Sequence, residues 1–462
     1  MGKILITITG QNGILNASLE LARRLALAGH EVQLAAPRPV GERIEREGWA
    51  FTELPEILME PAKLPALGSG PFGKLAGLYA RWSMEDRLRA EANQATRPLA
   101  FVELTRQSSP DLLLIDIELH EYILAAHGRG LNYILLSQWY SLWRRPGLPY
   151  QLTHAIPGVG EDGTPAAIAA HWDKITKQRR GMFKRIARLS FGADRRSTLL
   201  RLAGENDFPL DTLEENYWPG AFTYDRLPVI AMAPLEMEFP HEPRPNLHYV
   251  GPMVHATRRE KDAVSYCGKP IGDILDSAEA AGKKVILVTV STLHAGDSEF
   301  LRRVVAATAT VTDWEVIIGL GGKLKPEELT GTSAGARSEG NVHFFSYVPQ
   351  LRVLARADLS VNHGGIHTIH ECLHFGVPML VYSGKRSDQP GCAARVHYHR
   401  VGVMADKDID QPDAIREKIS QVLSGPYRAN VGHMRDRMFR YAEERTVEGL
   451  VAQSLTGQKL SS

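Results

Sequence analysis

Asn362-His363-Gly364-Gly365-Ile366-His367-Thr368-Ile369-His370-Glu371 is the stretch whose reading decides the fold. The apolar run Leu359 to Val361 leads into it as a buried strand ending at His363. Two glycines then let the backbone turn and come close to a ligand, and a helix starts at about Thr368. Free amides at a helix N-terminus, together with the helix dipole, suit a pyrophosphate without any metal. Glu371 lies one turn into that helix, where a carboxylate accepts hydrogen bonds from both hydroxyls of a ribose. Gly376-Val377-Pro378 breaks the helix and opens the next strand, and Asp388-Gln389-Pro390-Gly391-Cys392 follows.

Working outward, the same alternation recurs on both sides. Val285 to Val290, Val316 to Gly319, Val342 to Phe345 and Met379 to Tyr382 read as further strands of this half. Near the N-terminus, Ile4 to Thr9 is a β-rich run and Gly10-Gln11-Asn12-Gly13 is turn chemistry. Leu15, Leu19, Ala22 and Leu25 then recur at helical spacing up to Gly29-His30, and Val32 to Ala36 resumes as a strand. Leu112 to Ile115, Tyr133 to Leu136 and Val229 to Met232 are apolar on both faces, as parallel strands require. The class is therefore α/β, with two doubly wound parallel sheets of Rossmann type. The proline-rich Phe239 to Pro245 marks the change between halves. We expect a first domain over 1–245, a linker over 246–270, a second domain over 271–440, and a C-terminal helix and tail over 441–462.

Bulk composition narrows the partners. The 54 Lys and Arg nearly cancel the 53 Asp and Glu, so nothing at whole-chain level points to nucleic acid. The three cysteines, Cys267, Cys372 and Cys392, form no Cys-x-x-Cys pair, which argues against a disulfide framework and for a reducing cytoplasm. The N-terminal apolar run is too short for a signal-peptide core, and no stretch approaches the roughly 20 apolar residues of a membrane span. A cytoplasmic chain is expected. The basic stretch Trp172 to Arg201 is read first as a packed amphipathic helix with a solvated basic face, and peripheral contact at the inner membrane face is the competing reading.

Over residues 345–406 the chain resembles the nucleotide-sugar-dependent glycosyltransferases of the UDP-glucosyltransferase family, whose GT-B fold sets two Rossmann-like domains face to face. Several motifs fall in the family's order, which chance reaches far less easily than one short pattern. The resemblance implies that Val348 holds the base through its backbone, with Tyr347 flanking it in place of the usual Trp. It implies ribose contacts from Gln350 and Glu371, phosphate contacts from Thr292, His363, Gly365 and Thr368, and sugar-hydroxyl contacts from Asp388 and Gln389. Asp-Gln-Pro-Gly-x-Ala-Ala-Arg is similar to a bacterial branch that includes carotenoid glucosyltransferases, so a lipophilic small-molecule acceptor is expected. The implied reaction moves a hexose, with inversion and without metal or other cofactor, from a nucleotide diphosphate sugar, UDP-glucose being the expected donor.

Two features stand apart. Ile14 occupies the place where the family has the histidine that takes the acceptor proton, while its companion aspartate matches Asp116. Asp116 or the nearby His120 is expected to assist deprotonation instead, His120 having the ordinary pKa best suited to the task. A nucleotide-sugar-binding protein without transferase activity is the alternative that Ile14 keeps open. The second feature is His370-Glu371-Cys372-Leu373-His374, which matches the zinc-hydrolase pattern His-Glu-x-x-His. Gly376 and Pro378 end the helix straight after the second histidine, so the transferase reading is preferred.

Overall fold

Strands form where the chain is apolar on both faces: Leu112–Asp116, with the sequence LLLID, is buried at every position. The computed structural model describes residues 1–57, 67–214, 221–289, 298–322, 324–330, 338–384 and 387–458. The first sheet contains β1 (Lys3–Thr7), β2 (Glu31–Ala36), β3 (Ala50–Glu53), β4 (Leu112–Asp116), β5 (Tyr133–Ser137), β6 (Val229–Ala231) and β7 (Leu247–Tyr249). They lie in the order β3-β2-β1-β4-β5-β6-β7 with every pairing parallel. The second sheet contains β8 (Lys284–Thr289), β9 (Trp314–Gly319), β10 (Ser338–Glu339), β11 (Val342–Phe345), β12 (Leu359–Asn362), β13 (Met379–Tyr382) and β14 (Gly402–Ala405). Its order is β10-β11-β9-β8-β12-β13-β14, parallel except for the antiparallel edge strand β10.

Each sheet reverses its winding once, between β1 and β4 in the first and between β8 and β12 in the second. A crevice opens at the carboxyl ends of strands where winding reverses, because successive crossovers leave on opposite sides. The two crevices face each other. A side-chain carbon placed on Gly13, in the first turn of helix Asn12–Leu27, would lie 2.5 Å from the His367 ring of the second domain.

The domains are joined by buried polar contacts. Arg395, on helix Gln389–Tyr398, donates two hydrogen bonds to Glu238 at 2.5 and 2.9 Å, with both side chains 1% exposed. The guanidinium lies 4.7 Å from the ring centres of both Tyr140 and Phe239. Glu238 also accepts from the Ser141 amide and the Tyr249 hydroxyl. Nearby, the Gly391 amide donates to the Gln151 carbonyl at 2.8 Å, an approach that a side chain at 391 would block. After helix Tyr427–Glu443 the chain returns to the first domain. There helix Thr446–Leu455 packs Val447 and Val451 into the core that holds Ile4, Ile6 and Leu15.

Three features depart from the sequence reading. Leu247–Tyr249 is the edge strand of the first sheet although it falls in the expected linker, because it pairs with β6 in register from Val229↔Leu247. Ala50–Glu53 and Gly402–Ala405 are short strands with mixed burial, too brief to give a clean alternation. The basic stretch 172–201 belongs to two helices, Pro165–Leu189 and Arg195–Glu205, separated at Phe191 and Gly192, which take φ of 52° and 74°. Trp172 is buried and donates to the Leu148 carbonyl at 2.7 Å, whereas Met182 and Ile186 are exposed. Among the described residues no helix is long and apolar enough to cross a membrane.

Removing one partner of a buried ion pair strands the other charge in low dielectric, at a cost of about 3–5 kcal/mol. We expect Glu238→Ala to bring the urea transition to markedly lower denaturant, and Glu238→Leu combined with Arg395→Met to recover most of the loss. A single variant with an unmoved transition would contradict this account.

Candidate functional site

β12 ends at Asn362, whose side-chain oxygen accepts from the Gly364 amide at 2.9 Å and fixes the turn. Gly364 takes φ +82°, and a side chain there would meet Val381 at 2.9 Å and the Gln389 carbonyl at 3.2 Å, so glycine is required twice over. Gly365 caps helix Ile366–Phe375 without a side-chain hydrogen bond; the Ile366 amide donates to the Asp388 carboxylate, and the His367 and Thr368 amides are left for a ligand. The half-buried His363 ring lies over Gly365, with its Nε2 2.8 Å from where a β-carbon would sit. Thr368 is half-buried in the same first turn.

Glu371 and Gln350, both expected at a ribose, are brought together: Gln350 Nε2 donates to Glu371 at 2.6 Å. The Glu371 carboxylate also pairs with Arg258. Arg258 in turn contacts Glu260 at 3.1 Å, and Glu260 accepts from the Leu351 and Arg352 amides that open helix Gln350–Leu354. Arg258 and Glu260 were not anticipated. They lie in a polar stretch without periodicity, and the sequence gives no sign that it folds back on the site.

Tyr347 and Val348 cover the carboxyl end of β9. The exposed Tyr347 ring lies across Gly322, and Val348 packs on Gly319, where added side chains would collide with them. Asp388 and Gln389 are engaged within their own loop, and Asp388 also accepts from the Ile366 amide. Asp388 is buried and accepts from Ser387 Oγ at 2.9 Å and Cys392 Sγ at 3.3 Å, and Gln389 Oε1 accepts from the Gly384 amide at 2.9 Å. Burial pushes the Asp388 carboxyl above its ordinary range. Thr292 lies outside the described residues.

The His370-Glu371-x-x-His374 pattern does not assemble as a metal site. His370 is buried with Nε2 3.4 Å from the Tyr140 hydroxyl, Glu371 is committed to Arg258, and His374 packs edge-on to Phe375 and Phe439. No cluster of potential ligands is found among the described residues.

Residues 303–450 match the model of the erythromycin biosynthesis protein CIII-like C-terminal domain. The oleandomycin glycosyltransferase of Streptomyces antibioticus is 24% identical over 378 residues, covering 80% of this chain and 71% of that protein. The zeaxanthin glucosyltransferase of Pantoea ananas is 25% identical over 395 residues, 84% of this chain and 80% of its own. Among solved structures, the glycotransferase of kitacinnamycin aligns with a TM-score of 0.63 at 20% identity, over 98% of this chain and 99% of that one. The glycosyltransferase VinC, solved with dTDP, aligns at 0.60 with 17% identity over 98% and 99% of the two chains. The chain has the GT-B fold of these structures, and the curated proteins it resembles are glycosyltransferases.

The first-domain crevice holds a cavity of about 160 Å³ lined by Thr9, Gln11, Leu54, Glu118 and Tyr122 among others. A second cavity of about 700 Å³ lies between the domains, with Tyr150, Ile156 and Ile168 on one side and His397 and Met404 on the other. His154, on its wall, contacts Ser383 Oγ at 2.6 Å, which places the cavity beside the loop that leads to Asp388.

Of the two residues expected to assist deprotonation, His120 turns away from the crevice and Asp116 lies buried at the end of β4. His120 opens helix His120–Gly128 but turns into the aromatic core, with Nδ1 2.8 Å from the Tyr224 hydroxyl and its ring 4.8 Å from that of Phe222. Burial and the Arg195 charge push its pKa down to about 3. The first residue of a helix can face either crevice or core, and sequence proximity to Asp116 does not distinguish them. Asp116 ends β4 below the crevice, where its side chain is 2% exposed and accepts from the Glu118 amide at 3.0 Å. Ile14 is buried in the first-domain core.

Burial lifts the Asp116 carboxyl from 3.8 to about 6. A raised folded-state pKa contributes stability that is full below the unfolded value and is lost as pH rises through the folded one. The wild type should therefore lose stability relative to Asp116→Asn as pH rises from about 4 to about 6, and the gap should be constant above that. Paired thermal melts across this range check it; a gap that does not vary with pH would contradict the assignment.

Proposed function

We propose that this protein is a glycosyltransferase that moves a hexose, with inversion, from a UDP-sugar such as UDP-glucose to a hydroxyl of a small lipophilic acceptor. The observation that carries the reading is the meeting of Gln350 and Glu371 at 2.6 Å, one helical turn behind the His367 and Thr368 amides that follow Gly364 and Gly365. That spacing supports a ribose held by the two side chains and a diphosphate laid along the first turn, with the base on Tyr347 and Val348. His363, Thr368 and Thr292 join the phosphates on the family resemblance. Asp388 and Gln389 would release their own loop to take sugar hydroxyls.

The chemistry asked of the chain is electrostatic. Negative charge that develops on the leaving diphosphate is met by oriented amides at a helix N-terminus, which stabilise it without reorganising. Closing the two crevices on the donor excludes water and limits hydrolysis. The apolar side of the interdomain cavity, Tyr150, Ile156 and Ile168, supports a lipophilic acceptor. Ile14 favours the second reading, a sugar-nucleotide binder without transfer, and turnover of donor decides between them.

Two outcomes test the donor site. Hydrogen bonds to a charged group contribute about 1.5–3 kcal/mol, so Glu371→Ala should weaken UDP binding by about tenfold or more, and weaken 2′-deoxy-UDP less. Calorimetric titration of both nucleotides measures this, and equal affinities for wild type and variant would remove Glu371 from the ribose. Transfer should also persist in excess chelator, since oriented amides replace a carboxylate-held cation. Activity abolished by chelator and restored by a divalent ion would overturn that part of the reading.

A further inference from the structure

Sugar transfer to a hydroxyl, the reading on which this inference rests, needs a group to receive the hydroxyl proton. That group must come within hydrogen-bond reach of the oxygen attacking the anomeric carbon, and so must lie close to the diphosphate. Among the described ionisable side chains near the facing crevices, several are committed elsewhere. Asp116 is sealed below the crevice, Glu371 is held by Arg258 and Gln350, and His370 is buried against Tyr140. Glu118 lines the first-domain cavity.

His367 is placed otherwise. It is the second residue of helix Ile366–Phe375, in the same first turn whose amides are offered to the diphosphate. Its ring is half-buried and reaches across to the first domain. A β-carbon placed on Gly13 would sit 2.5 Å from its Cδ2 and 3.2 Å from its Nε2. The imidazole thus fills the space that a side chain at position 13 would take, one residue from Ile14. We infer that His367 of the donor-binding domain receives the acceptor proton, in the place where the first domain of this chain offers isoleucine.

In the step, a lone pair of the acceptor hydroxyl oxygen forms the new bond to the anomeric carbon, and the O–H pair stays on that oxygen as the proton leaves. The carbon–oxygen bond to the diphosphate breaks and its pair leaves with the nucleotide. The proton passes to a ring nitrogen of His367 and from there to water after product release. Burial and the Arg258 charge keep the free imidazole neutral, with a pKa of about 4. A diphosphate on the same helix turn would raise its basicity by placing negative charge nearby.

The acidity of the acceptor separates this role from a structural one. UDP-glucose and dTDP-glucose are supplied as donors, with 4-nitrophenol, largely ionised at neutral pH, and benzyl alcohol, which is not, as acceptors. Donor hydrolysis is followed alongside. His367→Ala and His367→Gln should each cut transfer to benzyl alcohol and hydrolysis by about a hundredfold or more, and transfer to 4-nitrophenol by no more than about threefold. Their UDP affinity should stay at the wild-type level. Equal loss on both acceptors, or no loss on either, overturns the assignment. An acidity-dependent loss in Asp116→Asn but not in the His367 variants overturns it in favour of Asp116. A wild type that turns over neither donor overturns the transfer reading itself, and this inference with it.

Discussion

The Arg395–Glu238 pair is the constraint on which the rest depends, because it fixes one domain against the other where neither has water to spare. A buried ion pair gains little over apolar packing unless its remaining donors and acceptors are met. Here they are. Glu238 accepts from Arg395, the Ser141 amide and the Tyr249 hydroxyl, and the guanidinium faces lie against Tyr140 and Phe239. Such a pair tolerates little displacement, so it sets an orientation more than it adds stability. Arg395 is on the helix that begins at Gln389, and the loop carrying Tyr140 and Ser141 leads to the wall of the interdomain cavity. One contact therefore registers the donor loop against the acceptor side.

A second chain of charges runs from the connection between the domains into the nucleotide site. Glu260 closes the start of helix Gln350–Leu354, Arg258 bridges Glu260 to Glu371, and Gln350 completes the circuit on the other Glu371 oxygen. A ribose in this position would compete for hydrogen-bonding capacity that the connection now uses. Donor occupancy and the path of residues 250–260 are linked through one carboxylate.

Most of this was legible where local rules act alone. The strand, two glycines and helix around 362–371 follow from backbone sterics, and the resemblance ordered Gln350 before Glu371 correctly enough for the two side chains to meet. Legibility failed where the answer depends on which way an element faces. His120 follows Asp116 closely but turns into the aromatic core against Tyr224. Leu247–Tyr249 reads as connection, and becomes a strand only because β6 lies ready beside it. Arg258 acquires its role from tertiary proximity to Glu371, which no spacing encodes. His367 needs both domains at once, since its significance comes from the bare backbone of Gly13 opposite.

The return of helix Thr446–Leu455 to the first domain gives the molecule two covalent crossings between its halves. Asn132 and Ser454 fasten that helix to the first sheet through mutual hydrogen bonds at 3.1 and 3.2 Å. A body held by two spaced tethers is not free to swivel about either one. With the buried Arg395–Glu238 pair as a third point of attachment, sliding of one half over the other is opposed at three places, and Gly13 is held opposite the His367 ring.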